Sequence, residues 1–260
     1  MERYRVLRID EQLYGCEELP EGQPVRCHVL LEDPAGQRRV LACPDAELTR
    51  LDIHEGDTVH LCCHTLTKCQ EEHMKEIQSS ALIGLGALGI LFGRKMPGVQ
   101  VIADADRIAR YSASPVVCNG EVCHFDYLTP AEGKPVDLIL IAVKATVLEQ
   151  AIRDIAKFVG PDTVILSVLN GITSEEAVEA AYPGHTLWSV AIGMDATRVG
   201  RSLTFGAAGR IQFGEKNGQM TERVRRVADY LDACGIANEP CSDILYKQWN
   251  KLMVNDGLNQ

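Results

Sequence analysis

Six residues narrow the folds open to this chain more than any other part of it: Gly84-Leu85-Gly86-Ala87-Leu88-Gly89. They match G-x-G-x-x-G, and their setting matters more than the match. An apolar run, Ser80 to Ile83, leads in, and a helix-forming run, Ala87 to Lys95, leads out. In such a strand–turn–helix the first glycine permits the tight turn and the second lets a pyrophosphate approach the backbone. The third lets helix and strand pack closely. The helix start then offers unpaired amides to phosphate charge. The match alone is weak, because glycine-rich turns have many structural uses. A second strand ending at Asp104, about 20 residues on, makes dinucleotide binding the expectation for all six residues.

From residue 78 onward the same grammar continues. Val99 to Ala103 reads as a strand and Ile108 to Tyr111 as a short helical turn, with a hairpin over Val116 to Val122. Asp137 to Val143 (DLILIAV) is an unbroken apolar run, the mark of a parallel strand buried on both faces. Ala145 to Phe158 has helical periodicity, Thr163 to Leu169 is the next strand, and Glu175 to Ala181 the next helix. Leu187 to Ile192, Leu203 to Phe205 and Arg210 to Phe213 complete the strands. Strands alternating with helices predict an α/β fold, a Rossmann-type doubly wound parallel sheet over 78–241.

Residues 1–77 have a different character. Tyr4 to Ile9, Val25 to Leu31, Arg39 to Cys43 and Thr58 to Leu66 read as short strands, with a brief helix ending at Arg50. Turn signals stand between them at Pro20-Glu21-Gly22, Asp33-Pro34-Ala35-Gly36 and Glu55-Gly56-Asp57. This predicts a small β-rich domain, joined through the polar stretch 67–77, in which no chemical site is visible.

Composition removes several classes of function. The formal charge is −10, which repels a phosphate backbone and argues against nucleic-acid binding. No 18-residue apolar run predicts a membrane span. The charged start Met1-Glu2-Arg3-Tyr4-Arg5 does not resemble a secretory signal, so a cytoplasmic protein is expected. Six of the ten cysteines (Cys16, Cys27, Cys43, Cys62, Cys63, Cys69) precede residue 77. With His64 and His73 some of them could be read as zinc ligands, but the chain has no C-x-x-C pair. Reduced thiols and no metal are the expectation.

Several polar residues fall where a sheet of this kind holds its ligands, beyond the carboxyl ends of the strands. Lys144 directly follows DLILIAV, and Asn170-Gly171 follows VILSVL. Asp104 ends the second strand, where a carboxylate would favour the ribose hydroxyls of NAD. Arg107 and Arg110 follow, where a guanidinium would favour the 2′-phosphate of NADP. The residues themselves leave that choice open. Near the end of the chain, Lys251, Asn255 and Asn259 recur at i, i+4 and i+8, on one face of a helix.

In these features the chain resembles the ketopantoate reductases (2-dehydropantoate 2-reductases) over roughly residues 78–260. The ordered motifs are GLGALG, Lys144 in VKA, Asn170-Gly171, Ala196 in GMDATRVG, and WNKLMVNDGLN. The resemblance implies NADP(H) as cofactor, held by the glycine loop with Lys144, Asn170 and Ala196, and points to Arg107 for the 2′-phosphate. It implies Lys251 as general acid, with Asn170, Lys251, Asn255 and Asn259 holding a small 2-keto acid. The reaction implied is the NADPH-dependent reduction of 2-dehydropantoate to pantoate, in pantothenate and coenzyme A biosynthesis. Relative to that family, residues 1–77 are an addition, and 242–260 read as the first helix of a truncated helical domain. An apolar helix face left there suggests a homodimer. A catalytically weak NADP(H)-binding module, with the β-rich unit as an interaction part, is the alternative.

Overall fold

The computed structural model describes residues 2–11, 24–33, 35–62, 65–68 and 76–258. The chain divides into two compact units, Met1–His73 and Met74–Gln260.

The first unit contains β1 (Glu2–Glu11), β2 (Arg26–Glu32), β3 (Arg38–Pro44), α1 (Asp45–Arg50), β4 (Thr58–Cys62) and β5 (Thr65–Lys68). The strands form an antiparallel sheet in the order β3-β2-β1-β4-β5. Alternate residues (Val6; Val29 and Leu31; Val59 and Leu61; Leu66) bury one face together with Leu48 and Ile53, while the intervening positions stay wetter. The run Thr58 to Leu66, expected as one strand, is a hairpin in which Leu61 pairs with Leu66. Parity gives the reason. An odd spacing separates the two leucines, so a single strand would send them to opposite faces. The turn signal at Pro20-Glu21-Gly22 lies outside the described residues, as do Cys16, Cys63, His64, Cys69 and His73.

The second unit runs β6 (Ser80–Ile83), α2 (Ala87–Gly93), β7 (Gln100–Ile102), α3 (Ala105–Ala113), β8 (Val116–Cys118), β9 (Glu121–Cys123) and β10 (Asp126–Leu128). It continues through β11 (Val136–Ile141), α4 (Leu148–Asp154), β12 (Val159–Ser167), α5 (Ser174–Ala181), β13 (Thr186–Val199) and β14 (Ser202–Gly214). It ends with α6 (Glu222–Ala233), β15 (Asn238–Pro240) and α7 (Ile244–Leu258). Six strands are parallel in the order β10-β7-β6-β11-β12-β13. Numbered along the unit, that order is 3-2-1-4-5-6, the doubly wound arrangement of the Rossmann fold. Its centre is buried on both sides. Leu82, Leu138, Leu140 and Leu166 face a core covered by α2 and α6. Their neighbours Ala81, Ile83, Ile139, Ile141 and Ile165 face the core under α4 and α5.

Several elements of the second unit differ from the sequence reading. Leu203 to Phe205 and Arg210 to Phe213 belong to one strand, β14, paired with β13 in a long antiparallel ribbon. The helix expected over Ala145 to Phe158 is α-helical only at Leu148–Asp154, between two short 3₁₀ turns. β10 was missed because three residues carry no periodicity. The amphipathic α6 was also missed, although Val224, Val227 and Leu231 recur at helical spacing and are buried.

Candidate active site

Strand order reverses between β6 and β11, and in a doubly wound sheet ligands lie beyond the carboxyl ends of the strands at such a switch point. Gly84 follows β6 with φ +99°, and a Cβ built on it would lie 2.6 Å from the Ala142 carbonyl oxygen and 2.8 Å from Val143 Cγ1. Only glycine satisfies both the left-handed backbone and the contact with the end of β11. At Gly89, in the first turn of α2, a Cβ would run into the Gly84 carbonyl. Gly86 caps α2 without a side-chain hydrogen bond, leaving the first amides of the helix to a ligand. Leu85 is buried, and Ala87 and Leu88 pack against the same core. The cradle therefore fits a dinucleotide pyrophosphate: backbone donors, no Cβ in the way, and a packed floor.

Lys144 stands at the end of β11, opposite this loop across the switch point, and is exposed. Asp104 follows β7 and caps α3, its Oδ1 accepting from the Arg107 amide at 2.7 Å. Its other oxygen lies 3.2 Å from Arg107 Nε. The two residues between which the sequence left the cofactor choice open are thus partners in one exposed ion pair. Ala196 is half-buried on β13 opposite Phe205, packed against the core that α2 covers.

The third group of residues converges from the far end of the chain. Helix α7 packs on β13 and β14, and Lys251 Nζ donates to Asn170 Oδ1 at 2.8 Å. Burial pushes the Lys251 ammonium below the ordinary lysine pKa. A cavity of about 440 Å³ adjoins the pair. Lys251, Asn255, Asn250 and Lys247 line it from α7, facing Gly193 and Met194 on β13. Asn255 therefore opens on the same space as Lys251, while Asn259 lies outside the described residues. Among the described residues no group of His, Cys, Asp and Glu side chains is placed to hold a metal ion. Sequence reasoning missed Arg198, which donates from β13 to the Leu85 carbonyl in the glycine loop. Nothing local marks that arginine, because the contact spans 113 positions.

A doubly wound sheet with a glycine loop at its switch point, and a half-buried lysine beside an asparagine beyond the carboxyl end of β12, is the build of a Rossmann-type domain. Residues 80–218 match the family model for ketopantoate reductase PanE/ApbA, and the chain belongs to that family. The 2-dehydropantoate 2-reductase of Streptococcus pyogenes serotype M3 is 25% identical over 193 residues, covering 68% of this chain and 61% of the relative. The crystal structure of the 2-dehydropantoate 2-reductase from Geobacter metallireducens superposes with a TM-score of 0.60 at 26% identity, covering 68% of this chain and 62% of that one. D-Mandelate dehydrogenase with NADH and anilino(oxo)acetate shares the fold at a TM-score of 0.58 and 22% identity, over 68% of this chain and 61% of that one. The chain spans about six-tenths of the length of these relatives.

Proposed function

We propose that this chain is the cofactor-binding and proton-donating part of an NADPH-dependent 2-dehydropantoate 2-reductase, forming pantoate for pantothenate biosynthesis. The observation that carries the reading is the hydrogen bond from Lys251 to Asn170, which follows the carboxyl end of β12. The nicotinamide, when bound, supplies a hydride for the 2-keto carbon. Negative charge then develops on the keto oxygen. The Lys251 ammonium stabilises that charge and delivers the proton, a transfer worth about 10²–10⁴-fold in rate. Asn170 accepts one Lys251 N–H, which aims the remaining protons, and its own amide group is left for substrate or cofactor. A lowered lysine pKa makes the proton easier to give. Asn255, and Asn259 four residues further along the sequence, donate and accept around the keto acid without adding charge.

For the cofactor, Gly84 to Gly89 hold the pyrophosphate, with Lys144, Asn170 and Ala196 along the rest of the molecule. Arg107 binds the 2′-phosphate of NADPH. Its pairing with Asp104 supports this, because the pair keeps the guanidinium at the end of β7 while a phosphate can displace the carboxylate. The fold neighbour that holds NADH makes the choice of cofactor a measurement in its own right. Exposed Tyr246, Trp249 and Met253 on α7 support a homodimer. No described helix is long and apolar enough to cross a membrane, which is consistent with a cytoplasmic enzyme.

The test is NADPH oxidation at 340 nm with 2-dehydropantoate, on this chain and on Lys251→Ala, beside a cofactor-binding titration. Turnover that collapses in the variant while NADPH still binds supports the reductase. Binding without turnover leaves the NADP(H)-binding module. Absence of binding removes both.

A further inference from the structure

Behind the Lys251–Asn170 pair lies a closed polar network that the reaction itself does not use. Glu175, 1% exposed at the start of α5, has no cation within ion-pair distance among the described residues. Its Oε1 accepts from Gln248 Nε2 at 2.8 Å and from the Ser189 amide at 3.3 Å, and its Oε2 accepts from Ser174 Oγ at 2.8 Å. Ser174 Oγ in turn accepts from Ser167 Oγ at 2.8 Å. The second Gln248 N–H donates to the Ser189 carbonyl at 3.0 Å, and Ser189 Oγ donates to the Ser167 carbonyl at 2.6 Å. All five residues are buried.

The placement of these groups suggests what they do. Ser167 ends β12 and Ser174 opens α5, so the two serines close the loop that carries Asn170. Gln248 lies one helical turn before Lys251 on α7. One carboxylate thus ties together the bases of the two segments whose tips form the Lys251–Asn170 bond. We infer that Glu175 is a positioning residue, which through Gln248 and Ser174 holds the acid and its asparagine in register. The inference rests on the reading of Lys251 as the proton donor. A buried carboxylate without a cation is costly, and burial raises the Glu175 pKa. The saturated set of donors around it is what keeps the group in place.

The variants are Gln248→Met, which removes both donors at similar volume, and Glu175→Gln, whose amide can keep the same bonds after the serine hydroxyls reverse. Because small misplacements of reacting groups are expensive, Gln248→Met should lower kcat about tenfold or more with KM for NADPH unchanged. Glu175→Gln should retain most of kcat. Native-state hydrogen exchange provides a readout without catalysis. In the unmodified chain, residues 168–173 and the amides of α7 should open together, and Gln248→Met should speed exchange in both. Joint opening in a chain that does not turn over would keep the strut and discard the reductase reading. Separate opening of the two segments, or full kcat in Gln248→Met, would overturn the inference. The wild-type exchange experiment decides the matter even where Gln248→Met does not fold.

Discussion

Lys251 Nζ sits 2.8 Å from Asn170 Oδ1, although the two residues are 81 positions apart in the chain. Asn170 is delivered by the end of β12, and Lys251 by a helix that packs on β13, the next strand of the sheet. The parallel sheet therefore sets the distance, and the exposed Asn170 gives the half-buried Lys251 ammonium a partner.

Because the two act as a unit, their substitutions should not add. Asn170→Ala is expected to lower kcat/KM about tenfold or more, and Lys251→Ala by about 10²–10⁴-fold. The double variant should fall little below Lys251→Ala alone. Steady-state assays of the three variants measure the coupling, and simple additivity would show that the contact has no part in catalysis.

Burial lowers the Lys251 pKa, and the sign of the effect on rate follows from that. A general acid works only while protonated. The rate with NADPH should therefore hold through neutral pH and fall as pH rises through a value below the ordinary lysine pKa of about 10.4. A pH–rate profile checks this. An alkaline limb at or above the ordinary value would mean that the lysine is solvated when it reacts.

Cofactor preference should reside in Arg107. Arg107→Ala is expected to weaken NADPH binding about tenfold or more while leaving NADH nearly unchanged. Fluorescence titration with both cofactors gives the ratio, and equal losses for the two would place the 2′-phosphate elsewhere.

The glycine loop makes a steric prediction. A methyl group at Gly89 meets the Gly84 carbonyl, and one at Gly84 meets the end of β11 in a left-handed backbone. Gly89→Ala or Gly84→Ala should therefore abolish cofactor binding and lower the melting temperature, whereas Gly98→Ala, with open space around it, should keep cofactor binding. Calorimetry and titration distinguish these outcomes.

Away from the site, Asp137 anchors the start of β6. It accepts from the Gln78 and Ser79 amides at 2.9 Å and lies 3.4 Å from the buried Arg226 guanidinium. Partial burial opposes its charge, but the Ser79 and Gln78 bonds together with Arg226 hold the carboxyl below its usual range. Its stabilising contribution is therefore complete at neutral pH and lost as pH falls through the depressed value. Asp137→Ala leaves Arg226 unpaired and should cost about 3 kcal/mol, read by urea denaturation.

Much of this architecture is legible in the order of residues, because local stereochemistry dictates it. The glycines at 84 and 89 are demanded by a left-handed turn and a close contact, with Gly86 at the helix start between them, all within six positions. The strand DLILIAV declares its two buried faces through composition alone, and strand ends mark where Lys144 and Asn170 must lie. Asp104 and Arg107 are legible as neighbours but not as an ion pair, since i, i+3 spacing permits the contact without requiring it.

Other features exist only once the sheet is assembled. Val224, Val227 and Leu231 of α6 repeat at helical spacing, yet only their packing under the sheet shows which face they cover. The hold of Arg198 on the Leu85 carbonyl, the Glu175–Gln248 bond and the Lys251–Asn170 bond each join residues 73 to 113 positions apart. A hydrogen bond depends on tenths of an ångström in distance and on angle, and no periodicity carries that information. The sequence by itself determined the doubly wound core and its glycine loop, because backbone sterics and apolar patterning act over a few residues. The tertiary structure alone decided which lysine meets which asparagine, because strand order and helix packing bring the ends of distant segments together.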